Sequence, residues 1–288
     1  MLFKRMLPLL CILCLTACAA APMKTGDALP SHVAVINGSF AELWMLAGGT
    51  VSAVTEDAWQ ERALDLPENV INLGVMKSPN LELLLAGGYD LVILSSAVPG
   101  HTEIGQTLEK AGVRTLFLTV ETFDDYLTAL SICTDLTGHP ENYERYGENL
   151  REKVDAQKAR TTGHPEVLLL RAYATGVRAK GSDNMVGAML KDLGCVNIAD
   201  SDASLLEELS IEGIVARDPE FIFITAMGDA EEAAAYVKET LMENPAWQGL
   251  RAVKEGHVAY LPKELFHYKP NARWDEAYRI LADILNAA

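Results

Sequence analysis

The spacing of apolar residues in the first half of the chain alternates between short continuous runs and stretches with helical periodicity. Gly and Pro residues separate the two kinds of segment. The apolar runs predict buried strands at His32–Asn37, Leu91–Ser96 and Val113–Val120. The predicted helices are Phe40–Ala47, Asn80–Ala86, Thr102–Ala111 and Phe123–Thr137. A regular alternation of strands and helices is typical of an α/β fold with a parallel sheet.

The same alternation starts again in the second half, after a long polar segment. Glu141–Arg160 has charges of both signs and few apolar positions, which favours a helix that bridges two lobes along their outside. The predicted strands beyond it are Glu166–Arg171, Phe221–Thr225 and Val258–Tyr260. The predicted helices are Asn184–Leu193, Ile211–Ala216, Ala230–Glu243 and Trp274–Asn286. The sequence therefore predicts an amino-terminal α/β lobe at 32–138, a linking helix at 139–163 and a carboxyl-terminal α/β lobe at 164–288.

One segment in each half follows the same plan. Ser78–Leu84 and Leu209–Val215 each predict a short helix that carries one glutamate, Glu82 in the first and Glu212 in the second. Each segment is followed by a turn and a buried strand. The predicted N-caps of these helices are Ser78 and Ser210.

The amino terminus has the pattern of an export signal. Two basic residues precede the apolar run Met6–Ala17, which is shorter than the about 20 residues that a membrane-spanning helix needs. The four residues that end at Cys18 resemble the lipobox of bacterial lipoproteins. This resemblance implies a cleaved signal peptide at 1–17 and a diacylated Cys18, because several acyl chains anchor a protein stably. The alternative is a plain secretory signal with a chance cysteine. A flexible tether is predicted at 18–31.

Composition and charge narrow the possible partners. The chain has 40 acidic and 24 basic residues, a formal net charge of -16, and this excludes nucleic acid, whose binding requires a basic surface. A hydrophobic share of 49% in 288 residues is enough for the cores of two lobes. Cys133 and Cys195 lie in different halves and lack the spacing of a zinc site, so both are expected to be small buried apolar residues.

Common catalytic motifs are absent from the sequence. There is no nucleophile elbow, Walker loop, Rossmann glycine fingerprint or HExxH motif. The six histidines form no pair at metal-ligand spacing, and His101, His139 and His164 stand beside Gly or Pro, as loop residues often do. The sequence therefore favours a binding protein without a resident cofactor over an enzyme. A protein that binds a bare metal ion is a less favoured alternative.

Four stretches together resemble the class III periplasmic-binding proteins, the substrate-binding lipoproteins of ABC importers for ferric siderophores, haem and cobalamin. The stretches are Asn37–Gly49, the two Glu-bearing segments, Asn244–Leu261 and the closing helix, and the resemblance extends from Val33 to the end of the chain. It implies an α/β fold of two Rossmann-like lobes with parallel sheets. One long rigid helix would join the lobes, with a ligand cleft between them.

The resemblance also implies how such a protein works. It would capture its ligand outside the cytoplasm, as a monomer held at a bacterial membrane by its lipid anchor. It would then deliver the ligand to an ABC permease, whose separate ATPase supplies the energy. By their position in the motif, Glu82 and Glu212 would dock onto basic residues of the permease. Such charge pairs fix orientation and speed encounter more than they add affinity.

Ligand-binding residues are expected at the carboxyl ends of strands and in the loops that follow them. This rule nominates Ser39, Phe40, Ser95, Ser96, Arg171, Tyr173 and Met227. Two further loops and one polar stretch add Met76, Lys77, His267, Tyr268, Arg273 and Trp59. The segment from Leu265 to Trp274 concentrates cationic and aromatic side chains, which suit a flat, anionic or aromatic ligand.

The identity of the ligand stays open among three iron or cobalt complexes. Haem needs axial ligands such as Met, His or Tyr, and Met76 with His267, or Met76 with Tyr268, are the possible pairs. The stretch Phe221–Gly228 has no histidine, although the resemblance places the second ligand of haem-binding relatives there. A ferric siderophore needs only cations and aromatics, such as Arg171, Arg178, Lys180 and Tyr173. Cobalamin, the closest alternative, is bulky and mostly neutral and would prefer Trp59, Phe40 and Tyr173.

Overall fold

The computed structural model describes residues 28–287. The predicted signal peptide at 1–17, Cys18 and most of the predicted tether therefore lie outside the described residues. The strands of the amino-terminal lobe are β1 Val33–Val35, β2 Ala53–Val54, β3 Ile71–Asn72, β4 Leu91–Ser95 and β5 Thr115–Leu118. Its helices are α1 Gly38–Leu46, α2 Asp57–Gln60, α3 Leu81–Ala86, α4 His101–Lys110 and α5 Phe123–Thr137. The five strands form one parallel sheet in the order β3-β2-β1-β4-β5.

A helical stretch from Pro140 to Lys158 links the two lobes. It consists of α6 Pro140–Tyr143, a π-helical turn at Glu144–Glu148 and α7 Asn149–Lys158. Pro140 stands at the first helical position, where its missing N–H leaves no hydrogen bond unmade. The helix predicted at 141–160 corresponds to this stretch, although the spacing of apolar residues gives no sign of the π turn.

The carboxyl-terminal lobe has a second five-stranded sheet. Its strands are β6 Glu166–Tyr173, β7 Gly176–Lys180, β8 Val196–Asn197, β9 Phe221–Ala226 and β10 Val258–Leu261. Its helices are α8 Met185–Asp192, α9 Ala203–Glu208, α10 Ile211–Arg217, α11 Ala230–Val237, α12 Pro245–Gln248, α13 Arg251–Lys254, α14 Lys263–Phe266 and α15 Trp274–Asn286. β10, β9 and β6 are parallel, β8 pairs with the start of β6, and β7 pairs antiparallel with its end.

Alternate residues of the central strands face a hydrophobic cluster that the two lobes share. Successive side chains of a strand point to opposite faces of the sheet. Val33 and Val35 of β1 belong to the shared cluster, and so do Val167 and Leu169 of β6. The residues between them face two outer clusters, one on each lobe. Each sheet is therefore covered on both faces, as parallel strands with continuous apolar runs require.

An aromatic contact ties the closing helix α15 to the amino-terminal lobe. The ring of Trp274 lies 5.6 Å from that of Phe123 and 6.1 Å from that of Tyr126, measured between centroids. Trp274 is fully buried, and the hydroxyl of Tyr278 on the same helix donates to Asp192 Oδ2 at 2.7 Å. The lobes are therefore joined by a packed core as well as by the linking helical stretch, which limits how far they can move apart.

The predicted α/β fold with two lobes is confirmed, and the structure differs from the prediction in three local features. The strands β2 and β3 have two residues each, too few for a periodic pattern to show. The antiparallel hairpin of β6 and β7 was not predicted. Ser78 as an N-cap is wrong, because α3 begins later and the side chain of Asn80 accepts from Leu83 N at 3.1 Å. Ser210 does cap α10, accepting from Gly213 N at 3.1 Å.

The two cysteines of the described chain are buried free thiols, as the sequence predicts. Burial raises the pKa of Cys195 to about 12, and that of Cys133 is raised for the same reason. Both thiols are therefore protonated at neutral pH. Between residues 28 and 287, no helix is both long enough and apolar enough to cross a membrane.

Candidate functional site

A cavity of about 180 Å³ lies at the carboxyl ends of β1 and β4, where it meets a loop of the other lobe. Helical connections leave these neighbouring strands in opposite directions along the sheet, and such a switch point is where open α/β sheets bind ligands. The amino-terminal lobe lines the cavity with Asn37, Ser39, Phe40, Asp57, Glu61, Arg62, Met76, Ser95, Ala97, Val98, Val120 and Glu121. The carboxyl-terminal lobe contributes His267, Tyr268 and Lys269. We call this space the interlobe cavity.

Asn37 shapes the loop after β1. Its side chain caps α1 by accepting from Phe40 N at 3.0 Å, while its Nδ2 donates to Met76 Sδ at 3.1 Å. The next residue must be glycine, because a Cβ on Gly38 would lie 2.8 Å from the backbone nitrogen of Ala58. Gly38 N instead donates to Asp57 Oδ2 at 2.7 Å. The sequence thus brings three loops of the amino-terminal lobe together at one wall of the cavity.

His101 holds the loop that carries Met76. Ser95 N donates to His101 Nδ1 at 3.1 Å, so the proton of the neutral ring is on Nε2, which donates to the carbonyl of Met76 at 2.9 Å. Burial lowers the pKa of His101. The interpretation of His101 as an isolated loop residue is wrong, because it is fully buried at the start of α4 and fixes the position of Met76.

The carboxyl-terminal lobe surrounds His267 with positive charge. Burial lowers the pKa of His267 to about 4, and Lys263, Arg171 and Lys269 contribute in the same direction. The imidazole is therefore neutral at neutral pH, because burial and the three nearby cations all disfavour its protonated form. Lys269 Nζ also reaches across the cavity to Glu121 Oε1 at 3.0 Å.

Tyr268 stands between cations from both lobes. Lys263 Nζ lies 5.2 Å from the centre of its ring, and the guanidinium carbon of Arg62 lies 5.9 Å from the same point. Burial raises the pKa of Tyr268, so its hydroxyl is protonated at neutral pH. Cations at such distances from an aromatic face are attracted to it. Tyr268 therefore orients the Arg62 side chain from the opposite lobe.

Beneath the cavity, a polar network joins the lobes. Arg62 pairs with Glu42 Oε2, and Asn271 Nδ2 donates to that same oxygen at 2.8 Å and to the carbonyl of Ser39 at 2.9 Å. Asn271 is fully buried with a φ of 51°, a left-handed conformation that Asn tolerates better than most residues. Burial lowers the pKa of Arg62 to about 10. Within residues 28–287, Arg62 Nε and Asn271 Oδ1 have no hydrogen-bond partner.

Six of the sequence-predicted ligand residues line this one cavity. They are Ser39, Phe40, Met76, Ser95, His267 and Tyr268. Arg171 lies near enough to His267 to shift its pKa but is not part of the wall. A role in ligand binding stays a prediction for all of them.

The other predicted ligand residues lie elsewhere. Trp59 packs on the shared core, Tyr173 lines a surface groove beside Arg178, and Arg273 is exposed and paired with Glu276 at 2.7 Å. Lys77 and Ser96 are exposed, and Met227 is half-buried after β9. Glu82 and Glu212 are both exposed in the first turns of α3 and α10.

Sequence reasoning missed several residues of the cavity wall. Asn37 is the second residue after the end of β1, so the rule that nominates Ser39 applies to it as well. Arg62, Glu61 and Asp57 come from the polar stretch around α2, where nothing in the sequence separates a buried charge from a solvated one. Within residues 28–287, no three His, Cys, Asp or Glu side chains gather as a metal site would require.

Comparison with known protein families identifies one family that matches most of the chain. Residues 33–265 match the sequence profile of the periplasmic binding protein family. The chain belongs to this family. The Fe(3+)-citrate-binding protein YfmC of Bacillus subtilis (strain 168) is 26% identical over 241 residues, which cover 81% of this chain and 74% of that protein.

Two further proteins are similar to this chain, one in sequence and one in fold. The high-affinity heme uptake system protein IsdE of Staphylococcus aureus (strain MRSA252) is 23% identical over 136 residues, 47% of each chain. The crystal structure of an ABC transporter substrate-binding protein from Listeria monocytogenes EGD-e has the same fold, with a TM-score of 0.76 at 17% identity. That match covers 90% of this chain and 99% of the other. These three relatives of this periplasmic binding protein are named for binding or for uptake.

Proposed function

We propose that this periplasmic binding protein is the substrate-binding component of an ABC importer and captures an anionic iron complex. The observation that carries the proposal is the interlobe cavity, whose wall holds Met76, Lys269 and a neutral His267, with Lys263 and Arg171 near enough to His267 to lower its pKa. Two of the three carboxylates on the cavity wall have partners, since Asp57 accepts from Gly38 N and Glu121 pairs with Lys269, and the third is Glu61. Lys269 is engaged by Glu121, so Lys263 and Arg171 are the cations near His267 that remain to balance a negatively charged ligand.

Haem is one iron complex that fits this set of residues. A thioether and a neutral imidazole are both common axial ligands of haem iron, and lysine or arginine side chains pair with propionates. The depressed pKa of His267 keeps its ring nitrogen free of a competing proton. Haem is larger than the cavity, so the contact between Lys269 and Glu121 would have to open for it to enter.

A ferric citrate or similar chelate is the second candidate. Its iron is already coordinated, so the protein needs to supply only cations and aromatic faces. The cavity of about 180 Å³ is below the range of roughly 300–1,000 Å³ typical of ligand pockets, which favours a compact ligand. The similarity to a protein named for binding Fe(3+)-citrate, over most of the chain, supports this candidate.

Delivery completes the proposed cycle. The loaded protein would dock on a membrane permease through Glu82 and Glu212, which are exposed on one short helix of each lobe. A separate ATPase would supply the energy. A lipid on Cys18, outside the described residues, would hold the protein at the outer face of the bacterial membrane.

Titration of the purified protein with haemin tests the first candidate. We expect a sharp Soret band, with affinity lowered roughly tenfold or more in Met76→Ala and in His267→Ala because each loses an axial ligand. Met242→Ala is the matched control, since Met242 is half-buried and lies outside the cavity. Should no Soret band form, ferric citrate is titrated while the intrinsic tryptophan fluorescence of the protein is followed. Failure of both ligands to bind would contradict the proposal.

The pH dependence of stability tests the neutral state of His267. Its pKa in the folded protein is about 4, below the ordinary value of 6.5, so the unfolded chain takes up the proton first as the pH falls. The contribution of the neutral imidazole is complete above pH 6.5 and is lost progressively toward pH 4. We expect His267→Gln to flatten this part of the profile of urea unfolding. An unchanged profile would show that His267 is exposed to solvent.

A further inference from the structure

The helices α3 and α10 match at several positions beyond their shared glutamate. Each begins at a polar cap, Asn80 or Ser210, whose side chain accepts from the N–H three residues on. Glu82 and Glu212 follow in the first turn, and the residue two positions later is fully buried in both helices. The next residue, Leu85 in α3 and Val215 in α10, is exposed to almost the same extent, 41% and 42%.

Helix geometry places each of these apolar side chains beside its carboxylate. Residues three apart lie on the same face of a helix, so Leu85 is a neighbour of Glu82 and Val215 a neighbour of Glu212. Further exposed apolar side chains stand nearby in sequence, Leu83 on α3 and Leu206 on α9. One exposed leucine or valine on a soluble protein needs no explanation. An exposed apolar side chain that recurs at the matched position of both lobes, next to the same carboxylate, does need an explanation.

We infer that Leu85 and Val215 are a second pair of docking contacts, buried against the permease together with Glu82 and Glu212. This inference rests on the proposed function. Charge complementarity specifies a cation on the permease opposite each carboxylate. The repetition of the whole unit specifies an occupant that presents the same surface twice, a cation beside an apolar recess, as two equivalent subunits would.

The two kinds of contact have separable roles. Salt screens the exposed carboxylates, which therefore act mainly on orientation and association rate. Burial of an apolar side chain is insensitive to moderate salt and acts mainly on dissociation. Docking should therefore retain a salt-resistant component of affinity, and Leu85 and Val215 should account for it.

The test is binding of the full-length protein to its cognate iron-uptake permease and ATPase, reconstituted in lipid nanodiscs, at low and at high salt. We expect Leu85→Ser and Val215→Ser each to raise the Kd about tenfold, and the double variant about a hundredfold, at both salt concentrations. Glu82→Gln with Glu212→Gln should weaken binding mainly at low salt. Tyr260→Ser is the matched control, because Tyr260 is 50% exposed but lies on β10.

The outcomes separate this inference from the proposed function. Suppose that the glutamine variants of Glu82 and Glu212 weaken binding, while the serine variants of Leu85 and Val215 bind as tightly as Tyr260→Ser. The docking role of the apolar side chains is then overturned, and that of the two carboxylates is retained. If the wild-type protein does not bind the permease at all, the proposed function fails and the inference fails with it. Urea unfolding of each variant checks that the substitutions leave the fold intact.

Discussion

Replacing Trp274 by Ala is expected to lower the free energy of unfolding by about 3–5 kcal/mol, the usual cost of removing a buried aromatic side chain. Trp274 is fully buried and contacts Phe123 and Tyr126 of the amino-terminal lobe. The cavity left behind would lie in the core that both lobes share. We therefore also expect faster amide hydrogen exchange in α5, the helix that carries both of those rings.

Trp247 provides the matched control for this prediction. It too is fully buried, but it lies in the outer core of the carboxyl-terminal lobe alone. Within residues 28–287, neither indole N–H has a hydrogen-bond partner, so the two substitutions remove comparable groups. Trp247→Ala should cost a similar free energy of unfolding while leaving exchange in α5 near the wild-type rate. Equal exchange in both variants would show that the aromatic contact does not couple the lobes.

The parts of the fold that the sequence predicts are those set by local apolar patterns. β1, β4, β6 and β9 are continuous apolar runs because both faces of each sheet are covered, and such runs are visible without the structure. The contact between Trp274 and Phe123 joins residues that are far apart in the chain. No periodicity of either segment shows that contact, so the shared core could not be predicted.

The residues of the candidate site likewise divide into those that the sequence predicts and those that only the structure shows. Ser39 and Ser95 follow from the rule for strand ends, because the connectivity of an open α/β sheet places its ligand there. His101 could not be predicted, since its role depends on one hydrogen bond to the backbone of Ser95 and one to Met76. Arg62 lies in a polar stretch and becomes buried only through contacts with Glu42 and with Tyr268 from the other lobe.

The shared core and the polar network act on the same property, the separation of the lobes. The aromatic contact of Trp274 lies in the core that the lobes share, and Asn271 joins the carboxyl-terminal loop to the carbonyl of Ser39. The contact of Lys269 with Glu121 is more exposed and is an ion pair of the kind that contributes little to stability. A ligand can therefore replace that ion pair at a low cost in free energy, while the buried contacts of Trp274 and Asn271 hold the two lobes together.

Replacing Arg62 by Met is expected to lower the free energy of unfolding by roughly 2–3 kcal/mol. Removing one partner of a buried ion pair leaves the other charge without compensation, which typically costs about 3–5 kcal/mol. The side chain of Arg62 is 10% exposed, but that of Glu42 is 26% exposed, so water offsets part of the loss. Urea unfolding at neutral pH, where Arg62 is protonated despite its lowered pKa, measures the change.

A double-mutant cycle with Glu42→Gln distinguishes a lost charge pair from lost packing. The side-chain amide oxygen introduced by this substitution would still accept from Asn271 Nδ2, so the variant keeps the contact between the lobes while removing the charge. The double variant should therefore recover part of the stability that Arg62→Met loses, with a coupling free energy of about 1 kcal/mol or more. Strictly additive effects would mean that the two charges are separately solvated. In that case Arg62 would face the cavity as a free cation, and its loss should weaken the binding of an anionic ligand instead of the fold.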